Sequence, residues 1–183
     1  MLKGFSVLLL VVSSCAVSLC QGRSTAFKDL SDRLGDDGRH GVLIGLLRTA
    51  DKNDPLISEM FGGGPHTVLA PTDVAFLKLP KGRLEAIRKD KTRLREFLFS
   101  HVFPNQVMLA DMLVTVKGNP SRTLIQLKNL IGWNVTISCD ERGGELHPKV
   151  NGWARISKGD ILFSGGVIHE VDAVLTPHPG GVN

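Results

Sequence analysis

The sequence predicts an α+β domain in which helices come first and an antiparallel sheet follows. Two observations carry this. Up to about residue 101 apolar residues recur at helical spacing, and from about residue 115 they alternate with polar ones. This order of elements argues against a doubly wound parallel sheet. Phe27, Leu30 and Leu34 fall on one helical face, and Val42, Leu43, Leu46 and Leu47 on another, with Gly35-Asp36-Asp37-Gly38 as the break between them. Asp54-Pro55 opens a short helix that runs to Phe61, and Gly62-Gly63-Gly64-Pro65 stops it. Thr67–Ala70 reads as a short strand that Pro71 ends. A side-chain oxygen of Thr72 or Asp73 is expected to cap the turn that follows, and Phe76 to plug the core. Leu84, Ile87, Leu94, Phe97 and Leu98 then form a stripe over two helical pieces that meet near Asp90. Val135, Ile137 and Cys139 alternate with Asn134, Thr136, Ser138 and Asp140. That period turns Asn134 outward and predicts a buried, inert Cys139. Asn151-Gly152 reads as a hairpin turn.

Residues 1–20 read as a secretory signal peptide. Lys3 supplies the positive start, Phe5–Val12 the apolar run, and Ser13–Cys20 the small-residue region. Cleavage after Cys20 or after Gly22 fits the small-residue rule, and Val12-Ser13-Ser14-Cys15 also has the form of a lipoprotein signal. The expected domain covers residues 25–177, and residues 178–183 form a short tail. Without Cys15 and Cys20 a single thiol, Cys139, is left. Of 22 Lys and Arg, 21 remain after Lys3 leaves; against 18 Asp and Glu the mature charge is +3. So mild a charge names no partner. No second apolar run of membrane length follows the signal.

The chemistry-bearing residues form no familiar catalytic or metal pattern. Six histidines show no HxxxH or HExxH spacing and are accompanied by no cysteine pair, so no metal or other cofactor is expected. A Cys139–His pair is the one route to a secreted enzyme, and an inward-facing thiol is a poor nucleophile. His101 and His169 sit among Val and Ile, where ring nitrogens usually satisfy backbone groups. Asp172 is expected to cap a turn or to accept from a backbone amide. Lys78, Lys81, Arg83, Arg88, Lys89, Lys91, Arg93 and Arg95 make a basic stretch, read either as a solvated helix face or as a dock for an acidic polysaccharide. No interleaved aromatics point to nucleic acid. Asn134-Val135-Thr136 is an N-glycosylation sequon.

Three segments carry a family resemblance. Thr67–Phe76 is similar to the first signature of fasciclin domains, Thr-Val-Phe-Ala-Pro-Thr-Asp-x-Ala-Phe, with Leu69 in place of Phe. Leu98-Phe99-Ser100-His101-Val102 resembles the family's Leu-x-Tyr-His-Val. Gly166–Leu175 resembles the second signature, Asn-Gly-Val-Ile-His-Val-Ile-Asp-x-Val-Leu. There Gly165 replaces the Asn, and Glu170 and Val171 stand where two apolar residues are usual. The resemblance implies a wedge of antiparallel strands in a two-sheet sandwich, packed by helices, with no catalytic centre. It makes Thr67, Pro71, Thr72, Asp73, Phe76, His169 and Asp172 framework residues. It also implies extracellular adhesion or matrix function through a cell-surface receptor or matrix protein, with integrin-type contact at Asp160-Ile161 and at the His101 region. Ser100 replaces the tyrosine at the latter site. Lys158-Gly159-Asp160 spells an integrin-type tripeptide that shares Asp160.

Overall fold

In the computed structural model, residues 25–117, 124–143 and 145–175 are described. The expected signal peptide, its cleavage sites and the 178–183 tail lie outside them. Helix α1 covers 25–35 and is followed by α2 (Gly41–Asn53) and α3 (Leu56–Gly62). Strand β1 (His66–Pro71) leads into α4 (Asp73–Leu77), α5 (Arg83–Lys89) and α6 (Lys91–Ser100). The remaining elements are β2 (Val102–Pro104), α7 (Leu109–Lys117), β3 (Leu124–Lys128), β4 (Asn134–Arg142), β5 (Glu145–Val150), β6 (Ala154–Phe163) and β7 (Gly166–Val171).

The seven strands follow one order, β2-β1-β7-β6-β5-β4-β3. The sheet is mixed, which corrects the expectation of a purely antiparallel one. Strands β1 and β7 run parallel, in register from His66 opposite Gly166 to Pro71 opposite Val171. The two signature segments are therefore hydrogen-bonded neighbours. The other pairings are antiparallel. The pairings fall into two sheets, as expected, and the two are joined through a shared strand. Strand β6 belongs to both halves: Ala154 and Arg155 pair with β5, while Ile156–Phe163 pair with β7. Two register shifts along β6, between Ile156 and Lys158 and between Lys158 and Ile161, bend it enough to serve both.

The β1–β7 seam is buried at every position, as expected of parallel strands covered on both faces. Val68, Ala70 and Ile168 face the helices, where they join Leu30, Leu34, Leu46, Ile57, Phe76, Leu94 and Phe97. Leu69 and Val171 face the other way, against Phe103, Met112, Val135, Ile137, Val150 and Ile156. Helix α1 contributes Ala26, Leu30 and Leu34 to the first cluster. Gly166 opens β7 at φ 142°, and a Cβ there would lie 1.9 Å from the His66 carbonyl oxygen. The seam can start only from a residue without a side chain.

Local signals explain most boundaries. The Asp90 carboxylate accepts from the amides of Thr92 and Arg93, so one residue ends α5 and caps α6. Asn151 and Gly152 both take positive φ (51° and 76°) and turn β5 into β6, as their dipeptide predicts. Cys139 shares a strand with buried Val135 and Ile137 but is only half-buried, because it lies further along β4, opposite Pro148. Burial still raises its thiol pKa, helped by neighbouring Asp140.

Candidate functional site

The framework residues of the first signature work at long range. The Thr67 hydroxyl donates to Asn105 O (2.8 Å) and accepts from Val107 N (2.9 Å), which fixes the chain leaving β2. Thr72 occupies the N-cap position of α4 but makes no side-chain cap bond. Asp73 does not cap its own helix either, contrary to the local expectation. Its carboxylate accepts from Gly41 N (3.1 Å) and Val42 N (2.8 Å), the first amides of α2. His40, at the N-cap of α2, supplies no side-chain cap, so the cap comes from 31 residues away. A cap of this kind is worth about 1 kcal/mol. Phe76 is buried as expected, its ring 6.0 Å from that of Phe97.

The two motif histidines are enclosed. Leu175 N donates to His101 Nε2 (3.0 Å), so that nitrogen carries no proton. Nδ1–H then donates to Phe97 O at 2.9 Å. Burial pushes His101 down to about 4, against a smaller opposing effect of the Phe97 carbonyl. His101 is 2% exposed. This removes it as a receptor contact: the side chain has no surface to offer.

His169 is wired the other way. Asp160 N donates to Nδ1 (3.1 Å), and Nε2–H donates to Val107 O (2.9 Å). Burial lowers its pKa, and the Val107 carbonyl and Asp160 charge oppose that without reversing it. With both ring nitrogens of each histidine bound to backbone, neither is free to act as a base for Cys139. Among the described residues no hydrogen bond joins Cys139 to either of these histidines.

Asp160 sits in the bulge of β6 with φ 58°, a conformation that Asp tolerates better than most residues. Its Oδ1 accepts from Leu109 N (2.6 Å) and its Oδ2 from Ala110 N (3.3 Å). The carboxylate thus caps α7 while remaining 31% exposed. Ile161 is part-buried against the helical core cluster, and Leu162 beside it is 54% exposed. Asp172 accepts from Arg155 N (2.7 Å), as a backbone-binding aspartate should. Asn134 is exposed at the start of β4, while Val135 next to it is buried.

All eight residues of the basic stretch are exposed. Three are engaged: Lys78 with Asp172 (3.7 Å), Arg93 with Asp90 (3.5 Å) and Arg95 with Asp54 (3.5 Å). Among the described residues, Lys81, Arg83, Arg88, Lys89 and Lys91 form no ion pair. They belong to α5, the turn before it and the first residue of α6.

A second cluster escaped sequence reasoning. Glu170 is fully buried on β7. It meets Arg39, whose Nη2 donates to Glu170 Oε1 (3.0 Å) and, through a second hydrogen, to Asp37 Oδ2 (2.7 Å). Asp37 Oδ1 lies 3.3 Å from His40 Nδ1. Burial raises the Glu170 carboxyl, and the Asp37 charge adds to this against Arg39. Burial would raise Asp37 too, but hydrogen bonds from the Arg39 amide and guanidinium outweigh it and hold it well below the usual carboxylate range. The one sequence signal was Glu170 itself, an acid where the family carries an apolar residue.

A seven-stranded mixed sheet with a buried parallel seam, packed by helices, defines an α+β wedge among the described residues. Comparisons with known proteins place that fold in a family. The family profile described as "Fasciclin domain" matches residues 39–177, so the chain belongs to the fasciclin domain family. Pig transforming growth factor-beta-induced protein ig-h3 is 32% identical over 131 residues, covering 72% of this chain and 17% of that protein. Human periostin is 30% identical over 139 residues, covering 73% of this chain and 14% of that protein. The chain thus spans about a sixth of the length of these relatives. A solved FAS1 domain pair from the insect cell adhesion molecule fasciclin I superposes with TM-score 0.56 at 16% identity, covering 74% of this chain and 45% of that one. That likeness concerns the fold alone. Among the described residues no helix is long and apolar enough to cross a membrane.

Proposed function

We propose that this chain is a secreted adhesion or extracellular-matrix module that binds a cell-surface receptor or matrix protein through the bulge of β6. The observation that carries the reading is the bulge itself. It exposes Leu162 and part of the Asp160 carboxylate two residues apart on one strand. An apolar side chain next to a carboxylate is what a receptor with a bound divalent cation would recognise. Membership of a family that includes ig-h3 and periostin supports the same role.

The test separates the cap of Asp160 from its charge. Asp160→Asn keeps a capping oxygen and the backbone conformation but removes the charge. Cell attachment to immobilised Asp160→Asn and Leu162→Ala proteins is expected to fall at least about fivefold, with melting temperatures near wild type. Wild-type attachment by both variants would sink the assignment.

A second reading rests on the five basic residues without ion pairs on α5 and its flanks. They suit an acidic polysaccharide. Retention on heparin should then fall steeply as salt rises, because counterions return to the polyanion. Negligible retention at low salt removes this reading. An exposed Asn134 is likewise the expected glycan attachment point, checked by intact mass before and after glycosidase.

A further inference from the structure

We propose that Asp37, His40 and Glu170 form a binding site for a divalent transition-metal ion of the zinc class, with Arg39 standing in for that cation when no metal is bound. One ligand atom from each of the three residues lies within 4.8 Å of the other two. Ligand atoms around a tetrahedral zinc ion are roughly 3.4 Å apart, so small side-chain rotations close the set. The donors are one imidazole and two carboxylates, a mixed nitrogen and oxygen set that suits zinc better than the all-oxygen preference of calcium or magnesium.

The second observation is unsatisfied polarity. Glu170 Oε2 is buried and has no hydrogen-bond partner, although Arg39 Nη2 lies 2.9 Å away without hydrogen-bond geometry. Glu170 is fully buried, so water does not satisfy this atom from outside. His40 Nδ1, 3.3 Å from Asp37 Oδ1, is the ring nitrogen that faces the carboxylates. Buried polar atoms without partners are uncommon and call for an explanation such as an ion.

The charge arrangement fits as well. Arg39 bridges both carboxylates, which is where a metal would neutralise them. Its side chain is half exposed, so it can swing to solvent when a metal arrives. The ligands come from the loop before α2 and from near the end of the seam, 130 residues apart in sequence from His40 to Glu170. A metal there would tie the helical half to β7.

The test uses the purified chain after chelator treatment, with ZnCl2, CoCl2 and MgCl2 as probes. Zinc at a hundredfold excess over Kd should raise Tm by at least about 5 °C, and magnesium should not. Cobalt should give the visible absorption of a four- or five-coordinate ion. Glu170→Gln and His40→Gln should abolish both responses. Arg39→Met should strengthen zinc binding several-fold, because the competing guanidinium is gone. Cys139→Ser should change nothing. The proposal is overturned if neither wild type nor Arg39→Met responds to zinc, or if the response survives in both Glu170→Gln and His40→Gln. The wild-type response needs no substitution, so a folding failure of any variant leaves the first criterion decisive on wild type.

Discussion

His101 and His169 belong to the same framework and are wired in opposite senses. His101 donates from Nδ1 to its own helix and accepts at Nε2 from Leu175, so it ties the end of the described chain to α6. His169 accepts at Nδ1 from the β6 bulge and donates from Nε2 to the loop before α7. The tautomer follows from which ring nitrogen meets an amide, and nothing in the two sequence contexts distinguishes them. The consequences differ as well. Every partner of His101 is inside the fold, whereas His169 supports Asp160, which reaches the surface. The first histidine should therefore govern stability alone, and the second should govern stability and the shape of the candidate contact.

The sharpest way to break this contrast is to remove each ring. His101→Ala leaves Leu175 N buried without its partner and opens a cavity, at a cost of about 3–5 kcal/mol in denaturant unfolding, while Phe97 O keeps the Ser100 hydroxyl. Attachment per folded molecule should be unchanged. A variant that melted like wild type would show that the chain end is held by something else.

Acid is the next probe. An unfolded histidine takes up its proton near pH 6.5, but folded His101 resists protonation down to about 4. Between these values the unfolded chain binds more protons. Stability therefore falls as pH drops through that window and does not change from this source above pH 6.5. The full loss from His101 is about 3 kcal/mol, and His169, also held low by burial, acts in the same direction. Unfolding curves at pH 7 and pH 4.5 check this, and His101→Gln should flatten the difference.

A smaller effect tests the link from His169 to the bulge. Asp160→Ala should cost about 1–2 kcal/mol through loss of the α7 cap. In a double-mutant cycle with His169→Ala the two losses should overlap by at least about 0.5 kcal/mol, because both hold the same bulge. Additive losses would mean that His169 and Asp160 act independently. The smallest expected change is Asp73→Asn, which keeps one capping oxygen for α2 and should lower stability by about 0.5 kcal/mol.

The sequence revealed features set by neighbours along the chain. The meeting of two helices at Asp90, the Asn151-Gly152 turn, the outward Asn134 and the plug at Phe76 all follow from local pattern. Features set by distant partners were not legible. Asp73 sits where a local cap belongs, yet tertiary packing turns its carboxylate toward α2. Helix α7 begins on a carboxylate that comes from Asp160, 51 residues later, so its N-terminus carries no signal of its own. The parallel pairing of β1 with β7 was hidden because burial on both faces erases the alternation that marks strand direction and neighbours. Glu170 stood out as an acid in an apolar stretch, but Arg39, Asp37 and His40 are ordinary loop residues until the fold brings them to it.

The pairing of His66 with Gly166 has a kinetic consequence. Its two strands are separated by about 100 residues, so the seam has a high contact order and a large loop to close. A ribosome must deliver nearly the whole domain before β1 can find β7. Until then β1 presents an unpaired apolar edge, the kind of surface that chaperones cover and that aggregates if left exposed. Truncation shortly before Gly166 should therefore leave a sticky, protease-sensitive chain rather than a smaller stable domain.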